Sequence, residues 1–319
     1  TGILVPVMGG LYIAAALLMI ILHGNMIPGM FASIFEAGMV PVARIKLRNL
    51  RRRASMGSYW VRRFCSGRTV HMAISCVRYG RLGRDMNIAI ILAGGTGTRL
   101  GADIPKQYIQ VNDKMILTYV LSTCVQAPEI DGIRIVCADM WEDDIEADIR
   151  KHLTASTWKE IFMGYSAPGN NRQLSILYAL EDIEENIRTG RIVSEDVNVM
   201  ICDAARPNLT VQIISDCFVA LPGKDGVMPV LPMKDTIYQS VDGKIITSTL
   251  RREELFAGQA PEVFRFTPYY EACKALLPDD IYTINGSSEP AILAGMKIAM
   301  IPGDEKNYKI TTQGDLERF

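Results

Sequence analysis

Apolar runs alternate with amphipathic segments from residue 86 onward. Three short, almost wholly apolar runs have the length and uniform hydrophobicity of buried parallel strands: Asn87–Leu92, Ile133–Cys137 and Val197–Cys202. Helical periodicity predicts helices at Thr118–Gln126, Asp143–Leu153 and Leu174–Ile187. Strands that alternate with helices predict an α/β fold with a mainly parallel sheet, in which ligands bind at the carboxyl ends of the strands.

The pattern before residue 86 is different. Residues 2–22 are uncharged and apolar over a length that can cross a bilayer. No basic segment precedes this run, as one would in a signal peptide, and a basic cluster that begins at Arg44 follows it. The pattern predicts an apolar, membrane-spanning helix within residues 1–38 and outside the enzyme domain. It also predicts a basic linker over 39–85 and a cytoplasmic domain over 86–319.

Charge separates the two parts of the chain in the same way. Residues 1–84 contain 12 basic side chains and one acidic side chain, whereas the whole chain is almost neutral. The remainder is therefore acidic, which argues against a nucleic-acid partner. Hydrophobic residues make up 49% of the chain, enough for a packed core.

The cysteine and histidine content excludes several classes of protein. Seven widely spaced cysteines without a C-x-x-C pair argue against a disulfide scaffold and favour reduced thiols, as in the cytosol. Only three histidines are present, and none is placed for a zinc site or for a Ser-His-Asp or Cys-His pair.

A glycine-rich loop follows the first predicted strand. Its glycines are Gly94, Gly95, Gly97 and Gly101. The spacing fits neither the dinucleotide fingerprint nor the Walker pattern. Arg99 lies in the loop and Lys106 follows it, and two cations beside glycine backbone suit a triphosphate better than a hydride carrier.

Several segments, in order along the chain, carry a resemblance to a known family. The loop reads LAGG-x-G-T-R-L-G and is followed by PKQ. The later segments are Gly169–Ser175, Asp203–Pro207, Pro232–Thr236, Gly258–Phe264 and Asn307–Thr312. Over residues 86–319 they resemble the cytidylyltransferases that act on polyol phosphates, such as 2-C-methyl-D-erythritol 4-phosphate or ribitol 5-phosphate. The resemblance implies a Rossmann-like nucleotidyltransferase sheet with a protruding dimerisation arm.

The resemblance also implies roles for individual residues. Arg99 and Lys106 would be catalytic and stabilise charge on the triphosphate. The nucleotide-binding residues would be Ala93, Gly94, Gly95, Gly97, Gly169, Asn170 and Ser175. The acceptor site would be formed by Asp203, Arg206, Thr236, Arg252 and Lys309. Asp203 would also bind Mg²⁺, the implied cofactor, beside CTP as co-substrate.

The implied reaction is transfer of CMP from CTP to a polyol phosphate with release of pyrophosphate. The ILAGG start of the loop and Gly258-Gln259 are closer to the ribitol 5-phosphate branch, which feeds teichoic acid or capsule synthesis. The alternatives are methylerythritol phosphate, for isoprenoid synthesis, and another small acceptor such as a sugar 1-phosphate or phosphocholine. An arm from Pro232 to Gly258 would complete a homodimer.

Two departures from the family pattern accompany the resemblance. The family's T-D-E-A-S segment is replaced here by Ile284–Glu289, which makes the corresponding contacts doubtful. The C-terminal helix of relatives is expected to be missing after Asp315-Leu316.

A second resemblance concerns the first 38 residues. The stretch VPVMGGLYIAAALLMIILHGNMIPGMFASIFEAG resembles an internal piece of a sodium/alanine symporter. Three interpretations follow: a chimeric or mispredicted gene fused ahead of an enzyme, a genuine membrane anchor, or a fragment of a membrane transport protein. The chain begins with Thr rather than Met, and Met86 opens a strong strand pattern, which favours the chimera.

Overall fold

The computed structural model describes residues 85–95, 104–194 and 196–319. The apolar segment 1–38, the basic segment up to residue 84 and the loop residues 96–103 lie outside the described residues. None of the helices in the described ranges has both the length and the hydrophobicity that crossing a bilayer requires.

Helices and strands alternate through the first two thirds of the described chain. In chain order the strands and helices are β1 (Met86–Leu92), β2 (Gln110–Val111), β3 (Lys114–Met115), α1 (Ile116–Gln126), β4 (Gly132–Val136), α2 (Glu142–His152), α3 (Ala155–Ile161), β5 (Phe162–Ser166), α4 (Arg172–Arg188) and β6 (Val197–Asp203). The elements that follow are α5 (Val211–Ala220), β7 (Gly226–Pro232), β8 (Tyr238–Gln239), β9 (Ser248–Thr249), β10 (Phe256–Gly258), β11 (Glu262–Arg265), α6 (Phe266–Lys274), α7 (Glu289–Leu293), β12 (Ile298–Pro302) and α8 (Gln313–Arg318). The three strands and three helices expected from the sequence are all present, with ends that differ by at most two residues.

An eight-stranded sheet organises the described residues, with the order β10-β7-β11-β6-β1-β4-β5 and with β12 paired to β7. Pairing is parallel between β6, β1, β4 and β5, and also between β7 and β12. The strands β10 and β11 run antiparallel to their neighbours. The fold is therefore mixed α/β with a mostly parallel sheet, as predicted.

The central strand β1 contributes to a hydrophobic core on each face of the sheet. Ala89 and Ile91 pack into the core that includes α1, α2, α3 and α5. Ile88 and Ile90 pack into the core that includes α4, α6 and α7. Successive side chains of a strand point to opposite faces, so a strand that is buried on both sides is apolar throughout. This explains why β1 reads as a continuous apolar run.

The segment between β7 and β10 differs from the rest of the domain because nearly all of its side chains are exposed. It contains the two-stranded β8–β9 hairpin and a 3₁₀ turn at Arg252–Glu254. The arm expected from the sequence falls on this segment, and its part in dimerisation stays a prediction. The described chain closes with α8, whose Thr312 and Asp315 form a capping box. That a longer family helix is missing stays a prediction.

Candidate active site

The start of the glycine-rich loop is fixed by side chains that follow it in sequence. Gln107 donates from Nε2 to the carbonyl oxygens of Ala93 and Gly95, and Tyr108 donates from its hydroxyl to the Ala93 carbonyl at 2.8 Å. Gln107 and Tyr108 are both buried. These bonds hold the carbonyl groups at the start of the loop in place. The backbone at Gly94 and Gly95 borders the cavity.

Two glycines are required where neighbouring segments approach closely. A Cβ on Gly94 would lie 2.5 Å from Pro168 Cβ, and one on Gly169 would lie 2.3 Å from Leu174 Cβ. Real Cβ atoms do not make such contacts. Gly94 therefore allows the loop after β1 to pack against the segment that leads into α4, and Gly169 allows that segment to pack closely against the first turn of α4.

The N-terminus of α4 provides the opposite wall. Asn171 caps the helix, accepting from Leu174 N at 2.7 Å, and the backbone N–H of Gly169 donates to Ser175 Oγ at 2.9 Å. The Ser175 hydroxyl in turn donates to the Asn171 carbonyl. A helix N-terminus presents unpaired N–H groups and a partial positive charge, which favour an anionic ligand.

Asp203 ends β6 and is surrounded by cations. Its Oδ1 accepts from Arg172 Nη1 at 2.6 Å, and its Oδ2 accepts from Arg206 Nε at 3.2 Å. Lys309 Nζ lies 3.1 Å from the same Oδ2 atom. One buried carboxylate thus holds three cationic side chains from three separate segments.

Charge pairing determines the ionisation of Asp203. Burial alone would raise the pKa of this carboxyl group, but Arg172, Lys309 and Arg206 together hold the pKa well below its usual range. Asp203 is therefore a carboxylate at neutral pH. Three cations against one anion leave the cluster with net positive charge, which suits a phosphate ligand.

The segment 307–312 runs beside this cluster. Its backbone carbonyl groups accept from two cations, since Arg206 Nη1 donates to the Asn307 carbonyl and Lys106 Nζ donates to the Ile310 carbonyl, both at 2.6 Å. Ile310 N donates to the Ala205 carbonyl at 2.9 Å. These bonds bring the Lys106 region, the end of β6 and the 307–312 segment to one place.

These elements enclose a cavity of about 420 Å³ at the carboxyl ends of β1 and β6. Predicted residues that line the cavity are Gly94, Gly95, Lys106, Gly169, Asn170, Ser175, Asp203 and Lys309. Ala93 lies buried beside it, and Arg206 contacts it through Asp203. Gly97 and Arg99 lie outside the described residues.

Two predicted residues lie on the arm and do not line the cavity. Thr236 is exposed on the arm, and Arg252 is exposed there and donates from Nη1 to the Lys234 carbonyl at 3.0 Å. Lys234 forms an ion pair with Glu305, which attaches the base of the arm to the domain. In a single copy of the chain the arm does not contribute to the cavity wall.

Seven cavity residues had no role assigned from sequence: Leu92, Gln107, Asn171, Arg172, Ala204, Ala205 and Thr311. Their signal was their place inside the matched segments, next to residues that were assigned. Arg172 was the hardest to recognise. It is the arginine of the matched segment Gly169–Ser175, but its partners Asp203 and Ser287 lie far away along the chain.

The donor set around Asp203 fits Mg²⁺ only in combination with a nucleotide. Within the described ranges, no group of three or more His, Cys, Asp or Glu side chains could hold a metal ion. Mg²⁺ commonly takes one or two carboxylates, with phosphates and waters completing its shell. Asp203 supplies one such carboxylate, and arriving phosphates would compete with it for Lys309.

The family model that matches this chain and two of its relatives are described as cytidylyltransferases. The family model described as 2-C-methyl-D-erythritol 4-phosphate cytidylyltransferase matches residues 87–318. A ribitol-5-phosphate cytidylyltransferase from Lactiplantibacillus plantarum is 31% identical, over 72% of this chain and 95% of that protein. A 2-C-methyl-D-erythritol 4-phosphate cytidylyltransferase from Neorickettsia sennetsu is 33% identical, over 72% of this chain and 93% of that protein.

Solved structures are similar in fold. The crystal structure of Francisella tularensis 2-C-methyl-D-erythritol 4-phosphate cytidylyltransferase is 24% identical with a TM-score of 0.59, over 73% of this chain and 98% of that one. The match to the family model begins at residue 87, and none of the relatives named here is a transporter. The symporter resemblance of residues 1–38 and a transport function are therefore not supported.

Proposed function

Since the chain belongs to the 2-C-methyl-D-erythritol 4-phosphate cytidylyltransferase family, whose members are CTP-dependent nucleotidyltransferases, we propose that it transfers CMP from CTP to a polyol phosphate. The observation that carries the proposal is the cavity itself. Glycine backbone, a helix N-terminus and the cations Lys106, Arg172 and Lys309 converge there around the single carboxylate of Asp203. This arrangement suits a triphosphate and a second phosphate together.

The chemistry explains why cations dominate the site. A phosphate oxygen of the acceptor attacks the α-phosphorus of CTP, a new P–O bond forms, and the bond to the departing pyrophosphate breaks. Negative charge builds up around the α-phosphorus and on the leaving group in the transition state. Catalysis then depends on positioning and on fixed positive charge rather than on a proton-transfer residue.

The residues divide into three groups in this proposal. Lys106, together with Arg99 in the loop, stabilises charge on the triphosphate. The backbone at Ala93, Gly94, Gly95 and Gly97 holds phosphate and ribose, and Gly169, Asn170 and Ser175 lie beside the cytosine. Asp203, Arg206, Thr236, Arg252 and Lys309 serve the acceptor. Asp203 would hold Mg²⁺, which would supply further positive charge to the phosphates.

We favour ribitol 5-phosphate, or a similar polyol phosphate, as the acceptor. The curated relatives include both acceptor types at 31% and 33% identity, so identity alone does not separate them. The ILAGG loop and Gln259 favour the ribitol branch. Gln259 is buried, and its amide donates to the carbonyls of Asp304 and Asn307, so it supports the segment that carries Lys309. The alternative acceptor is 2-C-methyl-D-erythritol 4-phosphate.

The arm supports a homodimer with composite sites. Six large apolar side chains on it are exposed: Tyr238, Val241, Ile245, Ile246, Leu250 and Phe256. Apolar surface concentrated on one projection is typical of an interface with a partner. A partner's arm would bring Thr236 and Arg252 to a cavity that lacks them within one copy.

Pyrophosphate release by the purified full chain tests the proposal. CTP and Mg²⁺ are supplied with ribitol 5-phosphate or with 2-C-methyl-D-erythritol 4-phosphate, and Lys106→Ala is assayed in parallel. We expect release with ribitol 5-phosphate and loss of release in the variant. Release with the methylerythritol phosphate alone would select the alternative acceptor. A folded protein that binds CTP but uses neither acceptor would contradict the proposed acceptor class.

A further inference from the structure

Arg172 connects the cavity to a segment that lies behind it. While Nη1 donates to Asp203 Oδ1, the other two nitrogens of the guanidinium group donate to Ser287 Oγ, Nε at 3.2 Å and Nη2 at 2.9 Å. Arg172 thus uses one edge of its planar group for Ser287 and a third nitrogen for Asp203. A planar group held at three points has a fixed orientation.

Ser287 is itself immobilised. Its side chain is buried, and its backbone carbonyl accepts from the Tyr269 hydroxyl at 2.7 Å. The Tyr269 ring is fully buried and stacks on Phe264 in the core. The backbone of Ser287 is therefore anchored to the core, and its buried hydroxyl is the acceptor against which Arg172 is oriented.

Charge explains why this orientation matters for the cavity. Asp203 receives Arg172 on Oδ1, whereas Lys309 and Arg206 are on Oδ2. Arg172 therefore occupies one carboxylate oxygen and leaves the other for the two cations beside the 307–312 segment. A rotation of the Arg172 group would turn the carboxylate and displace Lys309.

We infer that Arg172 and Ser287 form one positioning unit, which sets the orientation of the Asp203 carboxylate and, through it, the position of Lys309. The inference deepens the proposed function and rests on it for its catalytic readout. It also gives a role to the segment Ile284–Glu289, whose departure from the family pattern made its contacts doubtful. The hydroxyl at position 287 contacts Arg172, which lines the cavity.

Neighbouring serines provide a matched test. Ser287→Ala removes the acceptor of two Arg172 nitrogens without adding volume. Ser288→Ala is the control, because the Ser288 side chain makes no capping bond to the helix that follows it. Both variants are measured for thermal unfolding, for CTP affinity by calorimetry and for the kcat/KM of pyrophosphate release. We expect Ser287→Ala to lower kcat/KM roughly tenfold, an effect of the size found when neighbouring residues of one hydrogen-bond network are coupled. Ser288→Ala should leave kcat/KM unchanged.

A double-mutant cycle separates positioning from general destabilisation. Arg172→Lys keeps the positive charge but loses the forked geometry. If the two residues act as one unit, adding Ser287→Ala to Arg172→Lys causes no further loss of kcat/KM. If instead the double variant loses kcat/KM by the product of the two single losses, after correction for the folded fraction, the two residues act independently. That result would overturn the inference.

A spectroscopic readout keeps the inference testable if the proposed reaction fails. The ¹⁵N-labelled Arg172 Nε–H resonance is identified by its absence in Arg172→Lys. We expect this resonance to shift and its hydrogen exchange to accelerate in Ser287→Ala but not in Ser288→Ala. A wild-type protein that is inactive with both acceptors contradicts the proposed function alone. An Arg172 signal that is unchanged in folded Ser287→Ala contradicts the positioning unit.

Discussion

Lys106 Nζ donates a 2.6 Å hydrogen bond to the carbonyl oxygen of Ile310, which lies 204 positions further along the chain. Lys106 begins the 3₁₀ turn Lys106–Tyr108, whose next two side chains hold the Ala93 carbonyl. The bond therefore joins the loop after β1 to the last segment of the domain. The position of the proposed triphosphate cation depends on both ends of the described chain.

Replacing Lys106 should impair the reaction much more than the fold. Lys106→Met retains the aliphatic stem but removes the charge, so we expect kcat/KM for pyrophosphate release to fall by roughly 100-fold or more. Lys159→Met, at an exposed position of α3, is the charge-matched control. Equal activity of the Lys106 and Lys159 variants would remove Lys106 from the catalytic group.

Two glycines of the cavity should respond differently to the same substitution. Gly169→Ala places a Cβ 2.3 Å from Leu174 Cβ and 2.8 Å from Ser175 N, which should lower the free energy of unfolding by about 1–3 kcal/mol. A Cβ on Gly95 meets nothing within 4 Å, and Gly95 lines the cavity, so Gly95→Ala adds a methyl group at the site without a clash. We expect Gly95→Ala to weaken CTP binding while leaving the unfolding midpoint unchanged. Denaturant unfolding and calorimetry would show whether the two effects separate in this way.

Local patterns were sufficient to predict the strands and helices of the parallel half. The β1 and β6 strands are buried on both faces, so their sequences are almost continuously apolar. A run this short and this apolar is typical of a buried strand. The antiparallel β10 and β11 strands had no such signal. They are three and four residues long, and each depends on pairing with a distant strand.

The same limit applies to the cavity. Asp203 was predictable because it ends an apolar strand, and the carboxyl ends of parallel strands hold ligands. The contact of Arg172 with Ser287 was not, because the residues are 115 positions apart and Ser287 lies in a segment that departs from the expected pattern. Only the packing of α4 against the later helices brings them together.

Glu262 should make stability depend on pH. Burial raises the pKa of this carboxyl group to about 7, against the opposing effect of Arg172. The folded protein then holds a proton between about pH 4.5 and 7 that the unfolded chain has lost, so stability falls as pH rises through this window. Glu262→Gln remains neutral throughout. Its free energy of unfolding relative to wild type should rise by on the order of 1–3 kcal/mol from pH 5 to pH 8.

Denaturant unfolding at four pH values between 5 and 8 measures this effect. Glu271→Gln serves as the control, because Glu271 is an exposed residue of α6. The control should follow wild type across the range. A Glu262→Gln variant that also follows wild type would show that Glu262 ionises in the folded protein as it does in the unfolded chain.

Arg252 should act on the acceptor and should do so from a partner subunit. Arg252→Ala is expected to raise KM for the polyol phosphate about tenfold or more, as loss of a charged hydrogen bond predicts, while the CTP dissociation constant stays unchanged. Its neighbour Arg251 is the control, since this exposed side chain pairs with Glu254 on the arm itself. Similar KM values for the Arg251→Ala and Arg252→Ala variants would contradict a specific role for Arg252.

Complementation decides whether the site is composite. Asp203→Asn removes the carboxylate that holds three cations and should nearly abolish activity, whereas Arg252→Ala affects only the arm. If each cavity takes its arm from the partner, a heterodimer of the two variants contains one site with neither substitution. With the polyol phosphate well below the wild-type KM, where Arg252→Ala alone is nearly inactive, co-refolding equal amounts should then give about a quarter of wild-type activity, because half of the dimers are mixed and each has one intact site. If each cavity instead used the arm of its own subunit, every cavity in the mixture would carry one of the two substitutions. A mixture no more active than the average of its two components would therefore place the arm in its own subunit's site.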